Sequence, residues 1–152
     1  MKDKENRTKS QGITNQIEIK DIEKKIRNFN KEIKILSKSK ELRHLNLMKK
    51  RVLKQIKKCI DPELGSNIMD LGFIYGLELI KIDHKYKVKI IMTLTSPFCP
   101  LSNYLASDVK EKVLKLKDVA DVEVEIVFNP QWNPSMLSEE LQMKMFSQFI
   151  NQ

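Results

Sequence analysis

The residues best suited to chemistry lie in the stretch 93–101, Thr-Leu-Thr-Ser-Pro-Phe-Cys-Pro-Leu, where Cys99 is followed directly by a proline. Pro100 suits the first turn of a helix, because its missing N–H group has no helical partner there in any case. Cys99 is therefore expected at or just before a helix N-terminus, where the positive helix end favours a thiolate. A thiolate is what metal ligation and sulfur chemistry require. The alternative is a small buried apolar residue. Hydroxyl groups are available from Thr93, Thr95 and Ser96.

The second cysteine, Cys59, lies on the apolar stripe of a predicted helix, so a core position is favoured over a role as a second metal ligand. The sequence has no CxxC motif and no Cys/His pair at zinc spacing. One chain therefore cannot supply four cysteine ligands to a metal cluster. Two cysteines are also too few for a disulfide framework, and they indicate reduced thiols.

Asp61 and Glu63 form an acidic pair on the loop 61–67, which is rich in turn-forming residues. Two interpretations stay open: the pair acts as a general acid and base, or Asp61 bends the chain ahead of Pro62. Neither histidine of the chain lies in surroundings typical of a catalytic base, so a cysteine nucleophile has no evident partner. The sequence favours a protein that is not an enzyme.

The secondary-structure elements that position these residues can be predicted from the spacing of apolar residues along the chain. A helix with an apolar stripe ends before Pro62, because proline restricts the residue ahead of it. Strands are predicted at 73–82 and 87–95, and their short connection makes them an antiparallel hairpin. A helix at 101–116 and a strand at 122–128 follow. This order, helix–hairpin–helix–strand, predicts an α+β fold: a two-layer α/β sandwich with both helices on one face of the sheet.

An N-terminal extension precedes this domain. Residues 1–15 are polar and are expected to be disordered. Residues 16–47 are predicted to be helical and coiled-coil-like, because their apolar residues alternate in spacing between three and four until the run 37–40 interrupts them. This seam either binds a partner, such as a second copy of the chain, or packs on its own domain or forms only in part. Its members are Ile19, Ile22, Ile26, Phe29, Ile33 and Leu36.

The net charge of +8 lies entirely in the first third of the chain. Residues 1–50 hold 15 Lys and Arg against 7 Asp and Glu, whereas the rest of the chain holds 13 of each kind. A basic arm can bind acidic partners, but it says nothing about the domain behind it. The sequence shows neither a membrane-spanning run nor a signal peptide, so a cytoplasmic protein without membrane association is expected. We expect the domain over 48–141 and a C-terminal helix or tail, with Ser138 as its cap, over 142–152.

Four blocks of sequence occur in order between Arg51 and Leu141: Asp61–Gly65, Asn67–Tyr75, Met92–Pro100, and Pro130–Trp132 with Met136–Glu140. Together they resemble the SufT/PaaD-like family, also called the MIP18 family or domain of unknown function 59. The resemblance implies a compact domain like the C-terminal domain of NifU proteins, distantly like a KH domain. It implies a role in assembling or delivering iron–sulfur clusters, with Suf-type scaffold proteins and client apoproteins as partners. In such a role Cys99 could bind iron or a cluster transiently.

Carried over position by position, the resemblance makes Cys99 the family's reactive cysteine and Asp61-Pro62-Glu63 its acidic loop. It makes Thr93 or Thr95 the threonine ahead of the cysteine. Two features depart from the family pattern: the basic extension, and Cys59, which stands where an aliphatic residue is usual.

Two alternative functions also follow from the sequence. One is a KH-like module that binds nucleic acid through the basic arm, although the GxxG loop that KH domains use is absent from the sequence. The other is a PaaD-type factor for oxygenase maturation. Such chains usually carry further cysteines near the C-terminus, and in this sequence none follows Cys99.

Overall fold

The computed structural model describes the backbone of residues 2–150 and the side chains of residues 19–150. Met1, Asn151 and Gln152 lie outside the described residues, although two of our sequence predictions extend to them. The chain forms two compact units, residues 1–44 and residues 45–152. Helix α1, Lys2–Ile56, supplies the whole described part of the first unit and the opening turns of the second.

The continuity of α1 differs from one sequence expectation. Residues 1–15 were expected to be disordered, yet α1 begins at Lys2. No proline lies within α1, and Lys, Glu, Gln and Arg propagate a helix well, so the segment lacks the strongest helix breaker. The run 37–40 interrupts the apolar seam, as expected, but the helix continues through it. The hydroxyls of Ser37 and Ser39 instead donate hydrogen bonds to the carbonyl oxygens three residues earlier, at 2.9 and 2.8 Å.

The second unit contains the predicted hairpin, helix and strand. Strands β3, Ile74–Ile82, and β4, Lys85–Met92, are antiparallel and are joined by a two-residue turn. Helix α2, Ser102–Leu114, then leads to strand β5, Val119–Ile126, which pairs with β4 in parallel, so the sheet order is β3-β4-β5. The mixed α+β class that the sequence predicted is confirmed.

Short elements surround this sheet. A small hairpin of β1, Ile60–Asp61, and β2, Ser66–Asn67, occupies the loop that the sequence left without strands. After β5, a 3₁₀ turn, Pro134–Met136, precedes helix α3, Glu139–Ile150. The prediction that Ser138 caps this last helix is confirmed, because its hydroxyl oxygen accepts a hydrogen bond from the Leu141 N–H group at 3.3 Å.

The hydrophobic core lies on one face of the sheet. Alternate residues of β4 are buried on that face. The residues between them, which include Lys87 and Lys89, lie on the other face of the sheet. On that outer face, Lys89 pairs with Glu125 at 2.8 Å and Lys87 pairs with Glu123 at 3.3 Å. The core is completed by Met48, Val52 and Ile56 from α1 and by Leu105, Val109 and Val113 from α2.

The part of the chain that the structure describes contains no helix with both the length and the apolar character of a membrane span.

Candidate functional site

The loop between β4 and α2 holds Cys99 through two consecutive turns. The Cys99 N–H group donates to the carbonyl oxygen of Ser96 at 3.2 Å, and the Cys99 carbonyl accepts from the Ser102 N–H group at 3.3 Å. The Ser96 hydroxyl oxygen accepts from the N–H group of Phe98 at 3.2 Å, which fixes the first turn. Hydrogen bonds therefore hold the backbone on both sides of the cysteine.

The structure places Cys99 just before the helix, as expected, but it places Pro100 ahead of the first helical turn. Helix α2 begins at Ser102 with Leu101 as its N-cap, so Pro100 precedes the helix and Cys99 lies two residues before the cap. The physical reason is the turn closed by the hydrogen bond from Ser102 to Cys99, which uses the first helical N–H group before the helix starts. The cysteine is thus just before the helix but outside its first turn.

Two neighbouring side chains of this loop have opposite environments. Cys99 is partly buried and packs against the edge of the hydrophobic core. Phe98 beside it is 91% exposed, the largest exposure among the large apolar side chains of residues 19–150. The loop thus presents one thiol at the boundary between core and solvent, next to an uncovered aromatic ring.

The second cysteine lies in a different environment. Cys59 is fully buried, and burial raises the pKa of its thiol from the ordinary value of 9.0 to about 12. The negative charge of Asp108 raises this pKa further, as does the hydrogen bond between the Cys59 thiol and the Asp108 carboxylate, while Lys112 opposes these effects. Cys59 is therefore a protonated core residue at neutral pH, as the favoured sequence interpretation had it.

Asp61 makes the hydrogen bonds of a turn residue. Its side chain is almost completely buried, and its Oδ1 atom accepts from the N–H groups of Glu63 and Leu64 at 2.8 and 3.0 Å. The Asp61 carbonyl oxygen also accepts from Gly65, at 2.8 Å. Glu63 itself is exposed. Of the two interpretations that the sequence left open, these contacts favour the turn.

The three hydroxyl residues ahead of Cys99 do not share one environment. Thr93 is fully buried, and its N–H group donates to the carbonyl oxygen of Phe73 at 2.8 Å. Thr95 is exposed, and Ser96 supports the Cys99 loop as described above. Within residues 19–150, no group of three or more His, Cys, Asp or Glu side chains is arranged to hold a metal ion.

A C-terminal strap, residues 129–138, lies across the segment 70–75. The Tyr75 hydroxyl donates to the carbonyl oxygen of Pro130 at 2.8 Å, and the Ser138 N–H group donates to that of Asp70 at 2.7 Å. Trp132 packs edge-on against the ring of Phe73, with the ring centres 5.9 Å apart. Because Phe73 also accepts the hydrogen bond of Thr93, the strap supports the end of β4 from which the Cys99 loop departs.

Sequence reasoning missed the exposure of Phe98 and the strap as a support. The sequence does contain an indication of each feature. Phe98 is an aromatic residue in a short loop between two prolines, and Trp132 is the single tryptophan of the chain. Neither signal reveals from sequence alone whether the ring is exposed or packed.

The helix–hairpin–helix–strand domain with a lone cysteine after its middle strand belongs to a recognised class. A family model described as an iron–sulfur cluster assembly protein matches residues 49–126. This protein is therefore a member of the iron–sulfur cluster assembly protein family, as the resemblance in its sequence predicted.

Curated relatives and solved structures agree with this membership. The chain is 34% identical over 94 residues to an Fe-S protein maturation auxiliary factor of Porphyromonas gingivalis, covering 62% of this chain and 87% of that protein. It is 37% identical to the Fe-S protein maturation auxiliary factor SufT of Staphylococcus aureus over 52% of this chain and 86% of that one. Its fold resembles a DUF59 domain of Bacillus anthracis, with a TM-score of 0.58 at 29% identity over 66% and 92% of the two chains. A conserved hypothetical protein of Thermotoga maritima gives a TM-score of 0.52 at 41% identity over 62% and 89%.

Proposed function

We propose that this protein helps to assemble or deliver iron–sulfur clusters as a non-catalytic factor, and that Cys99 is its working thiol. The maturation factors among its relatives support the role. One observation carries the choice of residue: Cys99 lies at the boundary with solvent, whereas Cys59 is fully buried with a pKa of about 12. Only a thiol that can lose its proton and reach another molecule can take part in cluster transfer.

Because each chain has one accessible thiol, it can supply one cysteine ligand to a cluster. A cluster needs about four ligands, and residues 19–150 offer no preformed group of three. We therefore propose that Cys99 is one ligand of a transient site that a second molecule completes: another copy, a Suf-type scaffold or a client apoprotein. Iron or the cluster is then the cargo. In delivery, a client thiolate replaces the Cys99 thiolate on iron, and the oxidation state of the cluster is unchanged.

Phe98 is the proposed contact residue for that second molecule. Its ring is 91% exposed, while its own N–H group is held by the Ser96 hydroxyl at 3.2 Å. An aromatic side chain offers a large apolar contact area, and aromatic residues, including Phe, are enriched at protein interfaces. Docking on Phe98 would bring the partner next to Cys99.

Anaerobic reconstitution with ferrous iron and sulfide tests the role of Cys99. We expect the wild-type protein and a Cys59→Ala variant to bind iron with sulfur-to-iron charge-transfer absorbance, and a Cys99→Ser variant to lose both signals. Cys59→Ala is the matched control, because it also removes one thiol. Equal iron in the wild-type and Cys99→Ser proteins, or no iron in either, would refute the proposed ligand role of Cys99.

A transfer assay separates docking from ligation. The rate of cluster transfer from the reconstituted protein to an apoprotein that takes a [4Fe–4S] cluster is measured for Phe98→Ala. We expect slower transfer with unchanged iron loading. Phe149→Ala serves as the control, because Phe149 is also highly exposed, at 76%, but lies on α3. If both variants transfer at the wild-type rate, Phe98 is not the docking residue.

A further inference from the structure

The N-terminal unit carries an apolar stripe that its own helix leaves open to solvent. Six large side chains at alternating spacings of three and four are each between 48% and 66% exposed. They lie well inside α1, which continues past both ends of the stripe. The stripe is therefore not part of a helix end that could fray. Exposed apolar surface of this extent marks an interaction site. These seam residues are Ile19, Ile22, Ile26, Phe29, Ile33 and Leu36.

The spacing defines a heptad register. With Ile19 at position a and Ile22 at position d, each later seam residue falls on an a or d position up to Leu36. The next positions on either side are polar, Asn15 before the seam and Lys40 after it. The apolar segment therefore has a defined length, about 27 Å at 1.5 Å per residue, and it can be matched fully only by a segment of similar length.

The charges that flank the seam favour one orientation of a second copy. Lys25 and Glu32 both occupy g positions, which face each other across an antiparallel pair. In the antiparallel alignment that overlaps the two seams completely, each Lys25 lies opposite Glu32 of the other copy, so two attractive pairs form. In the parallel alignment the same residues lie opposite Asn30 and Ser37 and gain no opposite charge.

We propose that residues 19–36 of α1 form an antiparallel two-stranded coiled coil with a second copy of this chain. The layers then pair Ile19 with Leu36, Ile22 with Ile33 and Ile26 with Phe29, each twice, and every layer is apolar. The interface concerns the extension, outside the family match of residues 49–126, and it does not rest on the proposed role in cluster delivery.

The oligomeric state of the full-length protein tests the interface. Sedimentation equilibrium over a range of concentrations is expected to show a monomer–dimer equilibrium for the wild type. The double variant Ile26→Ala/Phe29→Ala removes the central layers, while alanine retains helix propensity, so we expect it to sediment as a monomer. A wild-type protein that stays monomeric at every concentration would refute the proposal. In that case something other than a second copy would have to cover the seam, such as the apolar residues of α3. A trimer or larger assembly would also refute it.

Charge reversal tests the orientation. The substitution Lys25→Glu replaces each attractive pair of the antiparallel dimer with two carboxylates that face each other, so the dimer is expected to weaken by about tenfold. Lys25→Glu/Glu32→Lys restores both pairs and should restore the affinity. Lys24→Glu is the control, because it changes the net charge equally at an f position on the far side of the helix. If Lys25→Glu and Lys24→Glu weaken the dimer equally, or the double variant does not recover, the antiparallel arrangement is wrong.

Discussion

The indole N–H group of Trp132 donates a hydrogen bond to the carbonyl oxygen of Leu71 at 2.7 Å, across 61 residues of sequence. This bond joins the C-terminal strap to the segment that precedes β3. The same tryptophan packs edge-on against Phe73, whose carbonyl oxygen accepts the N–H group of Thr93 at the end of β4. A short chain of contacts thus connects the strap, outside the family match of residues 49–126, to the start of the Cys99 loop.

Two substitutions of Trp132 should measure separately what its hydrogen bond and its ring packing contribute to the free energy of unfolding. Trp132→Phe keeps an aromatic ring against Phe73 but loses the N–H donor, and should lower the free energy of unfolding by about 1 kcal/mol. Trp132→Ala loses both and should cost about 3 kcal/mol, at the low end for aromatic truncation because the ring is only partly buried. Urea denaturation measures both values. Equal losses in the two variants would show that the ring packing contributes nothing.

The strap also explains a requirement for glycine. Gly72 has φ +72°, and a Cβ atom there would lie 2.1 Å from the carbonyl oxygen of Met136 in the strap. Gly65 has a similar φ of +68° but open space around it. Gly65→Ala should therefore cost about 1 kcal/mol of stability, from backbone strain alone, whereas Gly72→Ala must also displace the strap and should cost clearly more.

Thermal denaturation of the two glycine variants and the wild type provides the comparison. Because the φ angles are nearly the same, the difference between the variants isolates the close approach of the strap. Comparable losses of stability in both variants would contradict the contact between Gly72 and Met136.

The sheet and its helices were predictable because they are encoded locally. The alternation of buried Val88, Ile90 and Met92 in β4 has the period of a strand, and each residue of the alternation is close in sequence to the next. The prediction that α1 ends before Pro62 is confirmed, but the proline itself does not end the helix, which stops at Ile56. The N–H groups of Lys58 and Cys59 there bond to carbonyl oxygens three residues earlier. Polarity alone was a poor guide at residues 1–15, since a polar segment without proline can still be helical.

The details around Cys99 could not be predicted, because they depend on hydrogen bonds that the sequence leaves undetermined. The turn from Cys99 to Ser102 shifts the start of α2 beyond Pro100, and a proline signal cannot distinguish a first helical turn from the turn before it. The strap depends on contacts such as that of Trp132 with Leu71, whose partners are far apart in sequence. Such pairs are visible only when the chain is folded.

The contrast between the two cysteines predicts selective modification. A thiol reagent such as iodoacetamide reacts with the thiolate, so Cys59, which is buried and has a pKa of about 12, should stay unmodified in the folded protein at neutral pH. We expect mass spectrometry to find one label per chain, on Cys99. Both cysteines should react after unfolding in urea, which serves as the control. Labelling of Cys59 in the folded protein at a rate comparable to Cys99 would contradict its burial.

The raised pKa of Cys59 also predicts how stability depends on pH. The folded protein holds the thiol proton up to a pH of about 12, whereas the unfolded chain releases it near the ordinary value of 9.0. The stabilising effect of the protonated thiol is therefore complete below pH 9 and is lost as the pH rises towards 12. Over this interval the free energy of unfolding should fall by at most about 1.4 kcal/mol per pH unit because of this group.

Comparison with Cys59→Ala isolates this effect from the lysines and tyrosines that titrate in the same range. The variant loses apolar contacts of Cys59 and should be less stable than the wild type at pH 7, by about 1 kcal/mol or more. Because it has no thiol to ionise at this site, its stability should fall less steeply above pH 9. The two curves of unfolding free energy against pH should therefore converge as the pH rises above 9. Parallel curves up to the highest pH at which the protein folds would show that Asp108 and burial do not hold the proton on Cys59.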